Sequence, residues 1–241
     1  ELHLALAAET CNPAFAPEPM TIDDCEVLAA RLRRTSEATF QSLKDSTTTW
    51  DAATKAQISD VLTRGPQLVE QFCDSLAIAP SCSKTRVHGD YHLGQVLCQA
   101  NDFIILDFEG EPARSLAERR AKDCPLRDVA GMLRSFDYAA YAALFALAEK
   151  DENIVRQCES RARRWQAEAS AAYQRGYNQT AAGAAFLPQD TRQFNLLRDF
   201  FIVEKALYEL QYELNNRPAW LKIPLAGILS IADSNPPNTG D

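Results

Sequence analysis

Residues 87–97 read VHGDYHLGQVL, and residues 105–112 read ILDFEGEP. A chain with only three histidines and nine glycines gathers His88, Gly89, Asp90, His92 and Gly94 into the first of these stretches. One chemistry for such a cluster is metal-assisted hydrolysis, with His88, Asp90 and His92 alternating along one segment. Hydrolytic zinc and iron sites draw three or more ligands from several segments. Only His3 remains to give another imidazole, so carboxylates would have to complete that shell. Phosphoryl transfer accounts for more of the residues. It needs a carboxylate that orients the attacking hydroxyl and accepts its proton, and oxygen ligands that hold magnesium against the phosphates. Asp90 supplies the first. Gln95, five residues on, offers a neutral amide oxygen, and Asp107, closing the apolar run IIL, supplies the charge a hard cation prefers. The bland alternative is that Gly89 and Gly94 make turns, His88 packs, and Asp107 caps a helix. It explains each part singly and leaves their combination unexplained.

The elements that must position these residues are mostly helical. ELHLALAAE opens in helical stride and is followed by the Pro-rich loop NPAFAPEPM. Thr21 with Asp24 forms a variant capping box, and Val27, Leu28, Leu32, Phe40 and Leu43 recur at helical spacing behind it. A third helix is predicted over 51–76, broken or kinked at Gly65-Pro66. From about 85 to 108 the short β-branched runs QVLCQ and DFIILDF, turning at Asn101-Asp102, read as a small hairpin preceded by a loop. Beyond a charged loop, Asp123 or Cys124 caps a helix with Pro125 in its first turn and an apolar stripe of Val129, Met132, Leu133, Phe136, Ala140 and Leu144. Further helices follow over about 151–178 and 190–215, and PAWLKIPLAGILSIAD closes the fold before the tail NPPNTGD. The fold class is mainly α with one small β-hairpin island, and both chemical motifs sit on that island.

Composition narrows the function further. The formal charge of −8 argues against an electrostatic grip on nucleic acid. The local basic cluster at 114–127 is interleaved with Glu118, Asp123 and Asp128. No run of eighteen apolar residues spans a membrane, and no basic-then-apolar leader opens the chain. Seven scattered cysteines without a C-x-x-C pair fit reduced thiols in a cytoplasmic protein, with a Cys73–Cys82 pairing as a minor option.

HGDYHLGQ followed by DFEGEP resembles the aminoglycoside-phosphotransferase branch of the kinase-like fold, whose signature is H-G-D-x-x-x-x-N and then I-D. Gln95 in place of Asn departs from it, and so does Glu109 where protein kinases have the Gly of D-F-G. With the run 107–140 and EKALYELQYELNNRPAWLKIPLAGI (204–228), the chain resembles bacterial maltokinases, which also occur fused behind trehalose synthase. The resemblance implies ATP-dependent phosphorylation of maltose to maltose 1-phosphate for α-glucan synthesis, with Asp90 as base and Gln95 and Asp107 as magnesium ligands. Glu109 would reach the metal or the sugar, and His92 a sugar hydroxyl. His88 would be architectural, and Asp128 would be held by the dipole of its helix. Tyr208 with Tyr212 and Glu209 with Glu213 pair at i, i+4 ahead of Arg217 and Trp220. The resemblance makes Tyr212, Glu213, Arg217 and Trp220 a sugar platform; the alternative is a core edge with a solvated charged face.

A kinase of that type needs a nucleotide lobe, and neither G-x-G-x-x-G nor G-x-x-x-x-G-K occurs. Residues 1–232 are therefore expected to be a carboxy-terminal kinase-like lobe carrying the acceptor and metal sites. Residues 233–241 are expected to be a disordered tail, and the amino-terminal ATP lobe would be absent. Such a fragment alone would be inactive. Two alternatives stay open: a kinase for another sugar such as glucosamine, whose kinases share H-G-D-x-H-x-G-Q, and a catalytically idle interaction lobe of a fused trehalose synthase.

Overall fold

The computed structural model describes residues 1–77, 80–100, 102–148 and 152–235. The turn residue Asn101 and the tail residues 236–241 lie outside them. Helices dominate, and the chain gathers into two compact units, each assembled from two stretches of sequence.

One unit takes Met20–Ser81 and the chain from Asp190 onward. Helix α2 (Ile22–Asp45) starts at the capping box expected from sequence: the Thr21 hydroxyl accepts from the Asp24 N–H, and the Asp24 carboxylate accepts from the Thr21 N–H at 2.8 Å. Helices α3 (Ala52–Ser75) and α7 (Thr191–Asn216) begin at Asp51 and Asp190, whose carboxylates accept from the N–H three residues on. Helix α8 spans Lys222–Ser234, so Asp233 and Ser234 belong to a helix rather than to a tail. Helix α2 packs on α3 and α7, and α8 packs on the same two, which closes a four-helix ring. Its centre holds Leu32, Val61, Leu197, Phe200, Leu210 and Ile228, each almost fully buried. Burial of side chains this size contributes about 1.5–3 kcal/mol apiece.

Two details of this unit depart from the sequence reading. Helix α3 runs unbroken through Pro66. The glycine before it serves packing instead of breakage, because a Cβ at Gly65 would fall 2.6 Å from Cζ of Phe40. The ring of α2 occupies the space that a side chain on α3 would need. Val27, expected on the apolar stripe of α2, is 64% exposed.

The other unit takes Glu1–Pro19 and Cys82–Gln189. Helix α1 is short (Leu2–Leu6). Strand β1 (Glu18–Pro19) pairs antiparallel with β2 (Ser83–Lys84), and Thr85 and Asp123 exchange both backbone hydrogen bonds. The expected hairpin is present as β3 (Val96–Gln99) and β4 (Asp102–Ile105), with Val96 opposite Ile105 and Gln99 opposite Asp102. Helix α4 (Leu116–Arg120), in the charged stretch that reads as a solvated helix or loop, is started by a second capping box from Ser115 and Glu118. Helix α5 (Leu126–Ala148) follows Pro125 and packs along α6 (Glu152–Thr180). Phe136 meets Trp165 and Tyr173 edge-on at ring distances of 6.3 and 5.9 Å. All seven cysteines are free thiols, so the Cys73–Cys82 pairing is not formed. Cys82 instead shares a thiol hydrogen bond with Cys124, and both are buried. No described helix is long and apolar enough to cross a membrane.

Candidate active site

Helix α5 presents one face to the loop that carries Asp90. Asp128, 1% exposed, accepts the His88 N–H at 2.7 Å on Oδ2 and the Gly89 N–H at 2.9 Å on Oδ1. A turn later there is no side chain: a Cβ on Gly131 would lie 2.6 Å from the Tyr91 carbonyl oxygen. A further turn on, the Ser135 hydroxyl accepts the Leu93 N–H at 3.2 Å. The spacing 128, 131, 135 is one helical stripe. It holds the loop by its backbone and leaves the loop's side chains to other work. Gly89 has φ +82° and its α-carbon side lies against Gly110, a conformation and a closeness that suit glycine.

His88 is fully occupied by architecture, as the sequence suggested. Its Nε2–H donates to the Leu106 carbonyl at 2.7 Å, and Nδ1 accepts the Asp90 N–H at 3.4 Å. Its ring lies 5.4 Å from Tyr91 and 5.0 Å from Phe108. No lone pair is left for a metal, which removes it from any hydrolytic ligand set. Among the described residues no group of three His, Cys, Asp or Glu side chains converges as a metal site.

The Asp90 carboxylate is 16% exposed. His92 accepts the Gly94 N–H on Nδ1 at 3.0 Å, which leaves the proton on Nε2, and that atom stands 3.7 Å from Asp90 Oδ2. His92 thus faces the carboxylate of Asp90. Gln95 is fixed at its backbone, where its N–H donates to the His92 carbonyl and its carbonyl accepts from the Leu106 N–H, both at 2.9 Å. Its side-chain Nε2 donates to Asp107 Oδ2 at 3.0 Å. Asp107 lies two residues beyond β4 rather than on it, at φ +59°. That left-handed conformation, which Asp tolerates, brings its carboxylate to Gln95. Glu109 is exposed, and its backbone carbonyl accepts from Arg119 Nη1 at 3.3 Å.

The pair Gln95–Asp107 fits a small hard cation. Oxygens at about 2.1 Å from magnesium in an octahedron sit roughly 3 Å apart at neighbouring vertices. That is the present Nε2–Oδ2 spacing, and turning the amide over replaces nitrogen by Oε1. One charged and one neutral oxygen, completed by water and phosphate, is a normal protein share for magnesium.

The remaining sequence candidates lie in the four-helix unit. Glu213, 1% exposed, takes two hydrogen bonds from Arg217, at 2.9 and 2.6 Å. The Arg217 guanidinium sits 4.7 Å from the Trp220 ring centre and 5.5 Å from that of Tyr212. Charge and guanidinium therefore engage each other at the end of α7, and Tyr212 is 45% exposed beside them. Tyr208 carries Lys205 Nζ 5.0 Å over its ring, and Glu209 is buried.

Sequence reasoning missed three residues of the Asp90 site. Gly131 and Ser135 look like ordinary helix positions until the loop is seen against them. Sequence reasoning weighs His3 only as a spare imidazole for a hydrolytic metal, yet its Nε2 lies 3.0 Å from Asp128. Asp128 itself was credited only with a helix-dipole role. Burial raises the pKa of Tyr91, with the Asp128 charge adding to it.

No family model matches the sequence. Among curated proteins, a glucosamine kinase of Streptacidiphilus jiangxiensis is 26% identical over 240 residues, covering all of this chain and 48% of its own length. A glucosamine kinase of Mycolicibacterium smegmatis is 25% identical over 241 residues, 97% of this chain and 51% of its own. Among solved structures, a glucosamine kinase in complex with glucosamine, ADP and inorganic phosphate superposes with a TM-score of 0.77. It is 22% identical and covers 97% of this chain and 52% of that one. A second glucosamine kinase crystal form gives 0.74 at 24% identity, with 98% and 51% covered. The chain has the fold of these structures over nearly its whole length and spans about half the length of the curated relatives it matches. These findings overturn the maltokinase resemblance, and with it the description as a maltokinase carboxy-terminal lobe: the relatives along the whole chain are glucosamine kinases. The trehalose synthase partner and the trehalose and α-glucan context have no support in them.

Proposed function

We propose that the natural protein carrying this sequence transfers the γ-phosphoryl group of ATP to a hydroxyl of an amino sugar of the glucosamine class. The observation that supports this reading best is Asp90 on a loop locked by its own backbone, with Gln95 and Asp107 joined beside the exit of β4, in a chain whose relatives are glucosamine kinases. Asp90 orients the sugar hydroxyl and accepts its proton. The bond from the γ-phosphorus to the bridging oxygen breaks, a bond from phosphorus to the sugar oxygen forms, and ADP leaves. Gln95 and Asp107 would hold magnesium, which would supply positive charge against the phosphates of ATP. His92, with its proton on Nε2, steadies the Asp90 carboxylate or meets a sugar hydroxyl. Glu109 serves the acceptor, since it is exposed next to Asp107 in sequence.

The test is phosphorus NMR of the natural protein with ATP, magnesium and either glucosamine or maltose. Glucosamine should yield a sugar phosphate in step with ADP, and maltose none. Asp90→Asn should lower kcat by about 10²–10⁴-fold, the usual worth of a general base. Phosphorylation of maltose in preference to glucosamine would refute the acceptor, and an active Asp90→Asn would refute the mechanism.

A further inference from the structure

The buried carboxylate of Asp128 takes three hydrogen bonds, and only two come from the Asp90 loop. The third comes from His3, which lies 125 residues earlier in the sequence. His3 is 4% exposed. Its Nδ1 lies 2.9 Å from the Tyr177 hydroxyl of α6, and its Nε2 lies 3.0 Å from Asp128 Oδ2. A carboxylate can only accept, so Nε2 carries the proton and Nδ1 accepts from the Tyr177 O–H. The ring is held edge-on against Tyr177 and Phe186, at centroid distances of 5.6 and 6.2 Å. Nothing about it is adjustable: two hydrogen bonds and two aromatic contacts fix its plane.

We infer that His3 is a positioning residue for Asp90, acting through Asp128. This deepens the kinase reading and rests on it. The Asp128 oxygen that His3 binds is the one that accepts the His88 N–H at 2.7 Å. The imidazole therefore sets where that oxygen sits and, through it, where the loop begins, two residues before Asp90. A buried carboxylate that loses one of its donors must turn toward another or draw in water. A turn of the carboxylate releases an N–H of the loop, and an admitted water competes with the His88 N–H for the same oxygen. Substituting Tyr177 for a partner that only fills space would leave the Asp128 bond intact, so the decisive contact is Nε2 to Oδ2.

The experiment compares His3→Ala, His3→Asn and His3→Gln in the 241-residue chain by amide hydrogen exchange read by NMR. Glutamine can place an amide N–H near the position of Nε2, whereas asparagine mimics only Nδ1. The His88 and Gly89 amides should exchange about tenfold faster or more in the Ala and Asn variants, the worth of a hydrogen bond to a charged group. In the Gln variant they should return to within about threefold of the parent. The amides of Leu133 and Ala140 on α5 should not change. In the natural protein, His3→Ala should lower kcat about tenfold with the sugar KM within about twofold, and His3→Gln should restore it.

Unchanged exchange at 88 and 89 in His3→Ala overturns the inference. So does acceleration by the same factor at 133 and 140, which would mean a merely structural role, and so does accelerated exchange with an unchanged kcat. If the parent protein transfers no phosphoryl group, the kinase reading fails by itself, while the exchange pattern still decides whether His3 holds the loop.

Discussion

Gly131→Ala is the sharpest probe of the helix face beneath the Asp90 loop. The added methyl would be placed 2.6 Å from the Tyr91 carbonyl oxygen. A relaxed carbon–oxygen contact is no closer than roughly 3.2 Å, so one partner must retreat by about 0.6 Å. Helix α5 is anchored on both sides by Leu126, Val129, Met132 and Leu133, all buried. The loop has its Leu93 N–H on Ser135 and its Gly89 N–H on Asp128. The loop is the softer partner, and the residue displaced adjoins Asp90. Misplacement of reacting groups by about 1 Å costs on the order of 10²-fold in rate, so about 0.6 Å should lower kcat roughly tenfold or somewhat more. Stability should move little. Alanine gains about 1 kcal/mol over glycine in a helix interior, and overpacking costs about 1–3 kcal/mol. The assay is the kcat of the natural protein for glucosamine, paired with a urea unfolding curve and a crystal structure of the variant. A variant with undiminished kcat and its 90–93 backbone displaced would refute the claim that loop position sets the rate. A loop left in place would refute the close approach itself.

Three further outcomes are expected. Pro66→Ala should stabilise the chain by about 1–2 kcal/mol in urea unfolding, because α3 already runs through residue 66. The alanine restores a helix N–H and loses only the smaller unfolded-state advantage of proline. Burial pushes the Cys73 thiol up to about 11, so iodoacetamide near neutral pH should modify the exposed Cys11 and Cys98 well before Cys73, read by mass spectrometry. At the start of α3, hydrogen bonds from Thr54 hold the Asp51 carboxyl below its ordinary value of 3.8. A depressed acid contributes stability above its unfolded pKa and loses it as pH falls through the folded one. The gap in unfolding midpoint between the parent and Asp51→Ala should be full above about pH 4 and close progressively as the pH falls below that.

What the sequence made legible followed from repeated local signals. The Thr21–Asp24 box has a fixed three-residue spacing and the stripe Val129, Met132, Leu133 follows the helical period, and the structure carries both. The pairings of Glu18 with Lys84 and of Pro19 with Ser83 have no period to show, being two residues long. Gly65-Pro66 reads locally as a breaker, and only the ring of Phe40 against Gly65 explains the pair. The grouping of Gln95 with Asp107, which share a side-chain hydrogen bond, was readable because the phosphoryl-transfer reading asks for those two side chains together. The acceptor was readable only as an alternative: the motif H-G-D-x-H-x-G-Q named glucosamine beside the main reading of maltose, and the relatives favour that alternative. Residues proposed to hold a metal and act as a base are indifferent to which sugar brings the hydroxyl, so the 107–140 run could suggest maltose while the relatives are named glucosamine kinases. His3 was invisible for a plainer reason: its partner Asp128 is remote in sequence, and a histidine on a five-residue helix carries no mark of what it meets.

Each compact unit is stitched from two separated stretches, 1–19 with 82–189 and 20–81 with 190–241. On a ribosome the consequence is a matter of waiting. Chain growth at about 5–20 residues per second holds His3 without Asp128, 125 residues later, for roughly 6–25 seconds. Helices α2 and α3 emerge during that interval and must wait in turn for α7 to cover their apolar faces. Neither unit can be completed until the other is partly synthesised. Truncation at any single point cuts at least one of them, so a soluble half should be sought by rejoining segments rather than by shortening the chain.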